Sequence, residues 1–161
     1  MLEYARNKGH KQLVKAEAFN LPFSNSFFDS AIYIATLHCI PDAEKREKSL
    51  QELRRVLKVK SRALISVWNR EQPKFKDMKK ESQIGWGMIV NGKEKKIMRY
   101  YYLYDKKELI ELLSKYFKII KIYGYEDARK RSFLDTQPSL NLEKIDRRFL
   151  RNNIVIEVEK E

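Results

Sequence analysis

The segment from Ala16 to His38, AEAFNLPFSNSFFDSAIYIATLH, constrains the fold of this 161-residue chain more than any other segment. It predicts the end of one strand, a short polar turn and a complete second strand. Glu17 stands at the C-terminal tip of the first strand, and Thr36, Leu37 and His38 stand at the tip of the second. In open α/β sheets, ligands bind just beyond the carboxyl ends of the strands. The segment therefore predicts that both tips border a ligand site.

Strand and helix patterns alternate along the rest of the chain and predict an α/β fold. Apolar runs predict strands over residues 13–16, 28–35, 63–68, 117–123 and 153–158. Leucine spacing and capping residues predict helices over residues 2–8, 43–57 and 105–116. The strand at 28–35 is nearly all apolar, which is typical of a parallel strand that is buried on both faces. The second helix is predicted to turn Arg46 toward water.

Length and composition predict a single domain over residues 1–161. Two segments depart from the alternation of strands and helices. Residues 69–98 are polar, contain three glycines and show few periodic apolar positions, which predicts an insertion or a lid. Residues 126–152 form a basic segment, with a short helix predicted over residues 142–149.

The charge of the chain indicates a polyanionic partner. The sequence has 34 basic and 22 acidic residues, a net charge of +12 and a pI near 9.7. A positive field of this size attracts nucleic acids, and RNA is the partner we expect. The alternative is a thermophile-like composition with surface ion-pair networks, but such networks need a closer balance of the two signs.

The sequence predicts a cytoplasmic protein. It has no apolar run long enough for a transmembrane helix and no signal-peptide core at its N-terminus. Its one cysteine, Cys39, permits no internal disulfide, and we expect it to be buried between apolar neighbours. No set of cysteines and histidines has the spacing of a zinc site, so we predict no metal.

Three stretches of this sequence carry a resemblance to a known family. The pattern of an acidic residue, Ala, Leu-Pro-Phe, Ser-Phe-x-Asp and an apolar strand ending in Leu-His resembles the class I S-adenosylmethionine (SAM) methyltransferases. Within that group the chain is most similar to the tRNA wobble-uridine carboxymethyl methyltransferases. The stretches are NLPF with SFFD at residues 20–29, ELRRVL with ALISVW at 52–68, and RYYYLY at 99–104.

The resemblance implies a Rossmann-like sheet with strand order 3-2-1-4-5-7-6. This chain would supply strands 3 to 7 and lack the first two strands and the Gly-rich loop, so we expect an N-terminally truncated methyltransferase domain. Gly85-Trp86-Gly87 is no substitute for that loop, because no predicted strand leads into it and no helix follows it. Val59-Lys60-Ser61 stands where the family has a Pro-Gly-Gly turn and lacks its glycines.

Without strands 1 and 2, a gap of about 14 Å would separate strand 3 (Leu13–Ala16) from strand 4. The exposed strand edges would carry unpaired N–H and C=O groups. Three outcomes are open. Strand 3 pairs with strand 4, the missing half arrives on another polypeptide, or the chain alone is only partly folded.

The resemblance implies SAM as the cofactor. The residues it assigns to cofactor binding lie at the two strand tips: Glu17, Ala18, Phe19, Thr36 and Leu37. In the family, the Gly-rich loop holds the methionine end of SAM and an acidic residue holds the ribose. Both are missing here, so we expect SAM binding to be weak or lost in the isolated chain.

The expected substrate side combines His38 at the tip of the strand at 28–35 with the next strand tip and the aromatic run. These supply Trp68 and Asn69, and Arg99 and Tyr101. Each has a structural alternative. His38 is a substrate ligand or a histidine satisfied by backbone carbonyls, and Trp68 faces the substrate or packs in the core. Arg99 pairs with an anion or is solvated. Tyr101 stacks on a base or is hidden in a strand.

The function expected from these features is SAM-dependent methyl esterification of a carboxymethyluridine at the tRNA wobble position, by a chain that is inactive when isolated. No catalytic residue is assigned, because a carboxylate nucleophile is already ionised at neutral pH. The alternatives are a non-catalytic RNA-binding relic and a small-molecule methyltransferase of the same fold. The resemblance also implies a partner, either a small zinc-bearing activator subunit or a separate N-terminal half.

Overall fold

The computed structural model of the protein describes residues 2–90, 93–123 and 147–161. Its helices are α1 (Leu2–Asn7), α2 (Ala43–Val56), α3 (Lys106–Ser114) and α4 (Arg147–Asn152). Its strands are β1 (Phe28–Ile34), β2 (Leu57–Trp68), β3 (Glu81–Val90), β4 (Lys93–Tyr102), β5 (Lys118–Tyr123) and β6 (Asn153–Glu159). None of the described helices has the length and apolarity needed to cross a bilayer.

Four of the strands form one mixed sheet in the order β1-β2-β6-β5. β1 and β2 are parallel, whereas β6 is antiparallel to both β2 and β5. Parallel neighbours require a crossover connection, and α2 supplies it between β1 and β2. The α/β fold and the βαβ unit predicted from the sequence are therefore confirmed.

The main core lies between this sheet and the helices α2 and α3. Leu50 and Leu53 of α2 and Leu109 and Leu113 of α3 are buried in one cluster with Ile65 of β2. Their spacing of three or four residues puts each pair on one helix face. The sequence pattern therefore positions both helices against the sheet.

Aspartates begin both long helices, as the sequence predicts. The Asp42 carboxylate accepts a hydrogen bond from the Lys45 N–H at 2.9 Å, and the Asp105 carboxylate accepts one from the Glu108 N–H at 2.9 Å. Each bond satisfies one of the N–H groups that a helix start leaves without a partner. The start of α2 fixes the chain just after β1.

The predicted strand at Leu13–Ala16 is wrong. These residues form no regular secondary structure, and they pair with no strand among the described residues. A strand needs a hydrogen-bonded neighbour, and in the described sheet β1 pairs only with β2. Of the three outcomes left open, the pairing of this segment with β1 is therefore not the one observed.

β1 lies at the edge of the described sheet, whereas its sequence predicts burial on both faces. Ile32, in the middle of β1, is 62% exposed, and Phe27, which immediately precedes β1, is also exposed. Apolar side chains at the centre of a parallel strand are normally covered on both faces. Within the part of the chain that the structure describes, the outer edge of β1 thus has no strand partner, and Ile32 leaves an apolar side chain exposed on one face beside it.

Val59-Lys60-Ser61 lies inside β2, where the register with β1 is irregular, and Lys60 there adopts the left-handed backbone that glycine would favour. Lys60 has a φ of 63°, and its N–H donates to the Lys160 carbonyl at 2.8 Å. The Lys160 N–H in turn donates to the Ser61 carbonyl at 3.0 Å. These two bonds hold a conformation that costs about 1–2 kcal/mol for a residue with a side chain.

A charged pair on α2 holds the loop that leads into β1. Glu52 accepts from the Leu21 N–H at 2.7 Å and pairs with Arg55 at 2.6 Å. Arg55 donates to the carbonyls of Leu21 at 3.0 Å and Phe23 at 2.7 Å, and to the Asn25 side chain at 3.0 Å. The two side chains thus replace a regular strand as the attachment of this loop.

The segment predicted as an insertion contains an antiparallel hairpin. β3 and β4 pair from Glu81↔Tyr102 to Val90↔Lys93 and form a two-stranded sheet of their own. The hairpin extends four residues beyond the predicted limit at residue 98. Its role as a lid stays a prediction. Of the predicted basic segment 126–152, residues 126–146, with most of the helix predicted at 142–149, lie outside the described residues.

We predict that Glu52→Gln lowers the free energy of unfolding at pH 7 by roughly 1–3 kcal/mol, since it removes charge-assisted bonds from a carboxylate that is largely buried. The bonds to Arg55 lower the pKa of Glu52 from 4.5 to about 2. The stabilisation is therefore present above pH 4.5 and is lost as the pH falls toward 2.

Urea unfolding of the wild type, Glu52→Gln and the exposed control Glu71→Gln measures this effect. The difference between the wild type and Glu52→Gln is expected to shrink below pH 4.5, while the control stays near the wild type. An equal loss in both variants would show that the Glu52 bonds do not hold the loop.

Candidate functional site

The carboxyl ends of β1 and β2 lie at the same edge of the sheet. Their parallel register places Ile34 opposite Ser66, so that Ala35 and Thr36 follow one strand end and Trp68 completes the other. This is the position at which open α/β sheets bind ligands. The structure therefore brings the two predicted strand tips together.

The chain bends sharply where it leaves β1. Ala35 has a φ of 52°, and its N–H donates to the Ser66 carbonyl at 3.0 Å and to the Ser66 hydroxyl at 3.3 Å. The Thr36 hydroxyl donates to the Ile34 carbonyl at 3.0 Å. A left-handed alanine costs about 1–2 kcal/mol, and such strain persists where the surroundings hold it, often at functional sites.

Leu37 and His38 fold into a short 3₁₀ helix after this bend. The Leu37 side chain is fully buried in the main core. A ligand at the strand tip can therefore reach only the backbone of Leu37. The predicted cofactor contact of Leu37 stays a prediction, and the packing of the side chain in the core leaves the backbone to make it.

His38 links the two strand tips. Its side chain is 1% exposed, and Nδ1 accepts a hydrogen bond from the Trp68 N–H at 3.2 Å. Burial lowers the pKa of His38 from 6.5 to about 4, so the ring is neutral at pH 7. Since Nδ1 accepts, the ring proton lies on Nε2. The backbone does bind the ring, but at Nδ1 the partner is an N–H group and not the carbonyl that the structural alternative expects.

An aromatic cluster surrounds the tip of β2. The Trp68 and Tyr101 rings stack with centroids 4.3 Å apart, and His38 lies 5.3 Å from Trp68 and 5.5 Å from Tyr101. Phe75 stacks on Trp68 at 5.4 Å. Tyr101 is buried, so in this structure neither Tyr101 nor His38 presents a free ring face to a base.

Asn69 ends β2 and organises the following turn. Its side-chain oxygen accepts from the Glu71 N–H at 3.0 Å, and its own N–H donates to the Asn152 carbonyl at 3.1 Å. It also forms an isolated parallel bridge with Tyr104. These bonds give Asn69 a local structural role at the predicted site.

Arg99 lies on β4, opposite Ile84, and its side chain is exposed. Desolvation raises the pKa of the Cys39 thiol, and the positive charge of Arg99 partly offsets this rise. Arg99 therefore faces the segment just after β1. Cys39 is exposed, and the expectation of a buried cysteine is wrong because the 3₁₀ helix turns Leu37 inward instead.

Arg46 connects the hairpin to the segment after β1. It donates to the carbonyls of Ile40 at 2.9 Å and Pro41 at 3.1 Å, and to the Tyr100 hydroxyl at 3.2 Å. Its guanidinium lies 4.3 Å from the centroid of the Tyr102 ring. The prediction that Arg46 faces water is wrong, because the hairpin covers this part of α2 and buries the side chain.

The predicted cofactor residues Glu17, Ala18 and Phe19 form a turn and not a strand tip. The Glu17 carbonyl accepts from the Asn20 N–H at 2.9 Å, and the Glu17 side chain is exposed. The Phe19 ring lies 5.1 Å from the Lys45 ammonium, in the first turn of α2. This turn and the Thr36 bend therefore both lie near the start of α2.

Trp86 and Lys74 also lie at the site; the sequence indicated Lys74 as a candidate phosphate contact and did not single out Trp86 for binding. Trp86 lies 5.8 Å from Trp68, and the Lys74 ammonium lies 4.7 Å from the centroid of the Trp68 ring. The signal that could have identified Trp86 is a tryptophan in a polar segment that follows a strand tip with aromatic residues. Only the position of the hairpin against the end of β2 shows that the two tryptophans meet.

The described residues offer no glycine-rich cradle for the methionine end of SAM. Gly9 follows α1 with a φ of 88°, and Gly85 and Gly87 lie inside β3. A Cβ on Gly85 would meet the Lys96 side chain, and a Cβ on Gly87 would meet the Glu94 carboxylate. None of these glycines stands between a parallel strand and a helix, so the residues present do not fit that end of the cofactor.

A separate cavity of about 590 Å³ lies away from the strand tips. Arg54, Lys115 and Lys160 line it, together with Asn25 and Ser26 that precede β1. It therefore belongs to the opposite end of β1 from Thr36, and we do not assign it to the candidate site.

Comparison with known proteins gives the context of this site. Residues 1–65 match the family model described as a methyltransferase domain. The chain is 42% identical over 72 residues to the tRNA (carboxymethyluridine(34)-5-O)-methyltransferase of Arabidopsis thaliana, which covers 45% of this chain and 18% of that protein. It is 31% identical over 119 residues to a protein of Encephalitozoon cuniculi named as a methyltransferase, covering 70% of this chain and 54% of that one.

Among solved structures, the chain resembles a SAM-dependent methyltransferase of Thermotoga maritima that is described as a possible histamine N-methyltransferase. The TM-score is 0.58 at 23% identity, over 100% of this chain and 69% of the other. At this identity the likeness shows the fold alone. The matches thus span about a fifth to a half of the two curated relatives, and they confirm the family resemblance carried by the sequence.

We predict that His38 makes the free energy of unfolding decrease as the pH is lowered from 6.5 to 4. Because burial lowers the pKa of His38 to about 4, protons bind more tightly to the unfolded chain in this window. The loss is complete below pH 4 and amounts to roughly 3 kcal/mol at most.

Denaturation of His38→Asn and His10→Asn at several pH values tests this prediction. Asparagine keeps an acceptor for the Trp68 N–H and cannot be protonated, so His38→Asn should lack the loss between pH 6.5 and 4. His10, the chain's other histidine, is exposed, and its variant should follow the wild type. An unchanged pH profile in His38→Asn would contradict the assignment.

Proposed function

We propose that this chain, which is related to the SAM-dependent methyltransferases, takes part in methyl esterification of a carboxymethyluridine at the wobble position of tRNA. The observation that carries the proposal is the 42% identity to the Arabidopsis thaliana enzyme whose name states this reaction. The match covers 18% of that protein. The activity and the substrate are therefore both parts of the proposal.

The chemistry of a carboxylate substrate suits the side chains at the strand tips. A carboxylate is already ionised at pH 7 and needs no general base before it attacks a methyl group. His38 is neutral, buried and bonded through Nδ1, so it is not available as a base. SAM, when bound, supplies a methyl group on a sulfonium, and the protein has only to position the two reactants.

Arg99 and Trp86 are the side chains best placed to position the substrate. Arg99 is exposed and faces the segment after β1, where a guanidinium can pair with a carboxylate through two parallel bonds. Trp86 is exposed next to Trp68 and offers a ring face for a base. The net charge of +12 favours an RNA over a small apolar substrate.

SAM is proposed to bind through the Glu17–Phe19 turn and the Thr36 bend, and to bind this chain weakly. Both elements lie near the start of α2 and suit the adenosine end of the cofactor. The described residues supply no glycine-rich cradle for the methionine end. A binding isotherm that saturates at micromolar SAM would contradict weak binding.

The outer edge of β1 is the proposed place for a missing part of the fold. The edge carries backbone groups that a further strand could pair with, and Ile32 is exposed on a face of the same strand, where an added element could cover it. A separate N-terminal half fits this edge. A zinc-bearing activator subunit stays a prediction from the family resemblance. A non-catalytic RNA-binding protein is the second candidate function, and the incomplete cofactor site favours it.

The proposal predicts methyl transfer from radiolabelled SAM at millimolar concentration to tRNA that carries carboxymethyluridine. The product should lose its label in mild alkali, because methyl esters hydrolyse there, and tRNA with unmodified uridine should gain none. Arg99→Gln should lower the rate about tenfold or more, since a charged bond to the carboxylate is lost. Lys96→Gln, on the opposite face of β4, is the control.

Equal rates for the Arg99 and Lys96 variants would show that Arg99 does not bind the substrate carboxylate. Absence of transfer at every SAM concentration, in a chain that still binds tRNA, would reject the enzymatic proposal for this chain and favour the RNA-binding alternative.

A further inference from the structure

We propose that one face of the β3–β4 hairpin is a docking surface for single-stranded RNA, with Trp86 as its stacking platform. The inference rests on the proposed function for RNA as the substrate and adds where and how that RNA is held. It follows from the register of the hairpin, the ring contacts at its base and the distribution of its charges.

The register divides the hairpin residues between two faces. Directly opposed residues of an antiparallel pair lie on the same face, and the faces alternate along each strand. The pairs Ile84↔Arg99 and Trp86↔Ile97 lie on one face, which we call the tryptophan face. Lys95 and Lys93 follow on this face of β4.

The tryptophan face continues into the candidate site. Tyr101 belongs to it and stacks on Trp68 at 4.3 Å, and Trp86 lies 5.8 Å from Trp68. His38 in turn lies 5.3 Å from Trp68. An unbroken series of ring contacts therefore joins the carboxyl ends of β1 and β2 to the exposed part of the hairpin.

The charges of β4 are sorted between the two faces. The tryptophan face carries Lys93, Lys95 and Arg99 on β4, and no acidic residue of the described hairpin lies on it. The opposite face carries Lys96, and the two acidic residues Glu81 and Glu94 lie there as well. Within the described hairpin, the acidic side chains therefore share a face with Lys96 and not with Trp86.

The two glycines of β3 explain why the faces differ in shape. Gly85 and Gly87 lie on the opposite face, where the side chains of Lys96 and Glu94 lie over them. The space left by the missing Cβ atoms is therefore filled by charged side chains on that face. Trp86, between the two glycines, points to the other side and is 43% exposed.

A half-exposed tryptophan on β3, with cations on the same face of the neighbouring strand β4, suits single-stranded nucleic acid. Unpaired bases stack on aromatic rings, and each stacked base contributes about 1–3 kcal/mol. A duplex keeps its bases stacked on one another and offers no free base to Trp86. The cations on β4 lie where they can contact the phosphates of the RNA strand whose base stacks on Trp86.

The test measures the binding of a fluorescein-labelled oligouridine to the full chain by anisotropy, without SAM. Trp86→Ala should weaken binding about fivefold to a hundredfold through the lost stacking, and Trp86→Phe should keep most of the affinity. Lys95→Glu should weaken binding about tenfold. It should also make the slope of log K against log salt less steep, by the equivalent of about one phosphate contact. Lys96→Glu, with the same change in net charge on the opposite face, should stay within about twofold of the wild type.

Three results would overturn the proposal. They are no binding of oligouridine by the wild type, equal losses for Lys95→Glu and Lys96→Glu, or no effect of Trp86→Ala. Heparin, a polyanion without bases, is a further probe: if its affinity responds to Trp86→Ala as oligouridine does, stacking is not the cause. Because SAM is absent, a failure of methyl transfer leaves these measurements unaffected, and the two proposals fail independently.

Discussion

The parallel pairing of β1 with β2 is the contact on which the rest of the structure depends. It aligns the two strand ends at one edge, and the hydrogen bond from the Trp68 N–H to His38 Nδ1 holds these ends together beyond the last strand pair. The bond requires a neutral histidine, and burial keeps the ring neutral by lowering its pKa to about 4. The same burial that secures the edge excludes His38 from acid–base chemistry at pH 7.

Buried and half-buried side chains extend this edge toward the hairpin. Arg46 binds the carbonyls after β1 and the Tyr100 hydroxyl of β4, so that one guanidinium joins the two elements. The stacked rings of Trp68 and Tyr101 form a second connection. Hydrogen bonds to several acceptors offset part of the solvation energy that a guanidinium loses on burial. The hairpin is therefore attached to the site by both polar and apolar contacts.

Local signals predicted much of the fold, and tertiary contacts decided the rest. Asp42 and Asp105 correctly predicted the starts of both long helices, because an N-cap depends only on nearby residues. The strand predicted at Leu13–Ala16 failed, since a strand also needs a neighbour. For the site, the sequence located the two strand tips. It could not show the burial of Arg46 or the contact of Trp86 with Trp68, because both depend on the hairpin position.

The central claim is that the carboxyl ends of β1 and β2 form the cofactor edge. Titration of the ¹⁵N-labelled chain with S-adenosylhomocysteine, followed by amide chemical shifts, tests it most directly. The account predicts shifts that grow together at Phe19, Thr36 and His38, with no saturation at micromolar ligand. Shifts confined to the cavity near Arg54 and Lys115, or none at millimolar ligand, would contradict it.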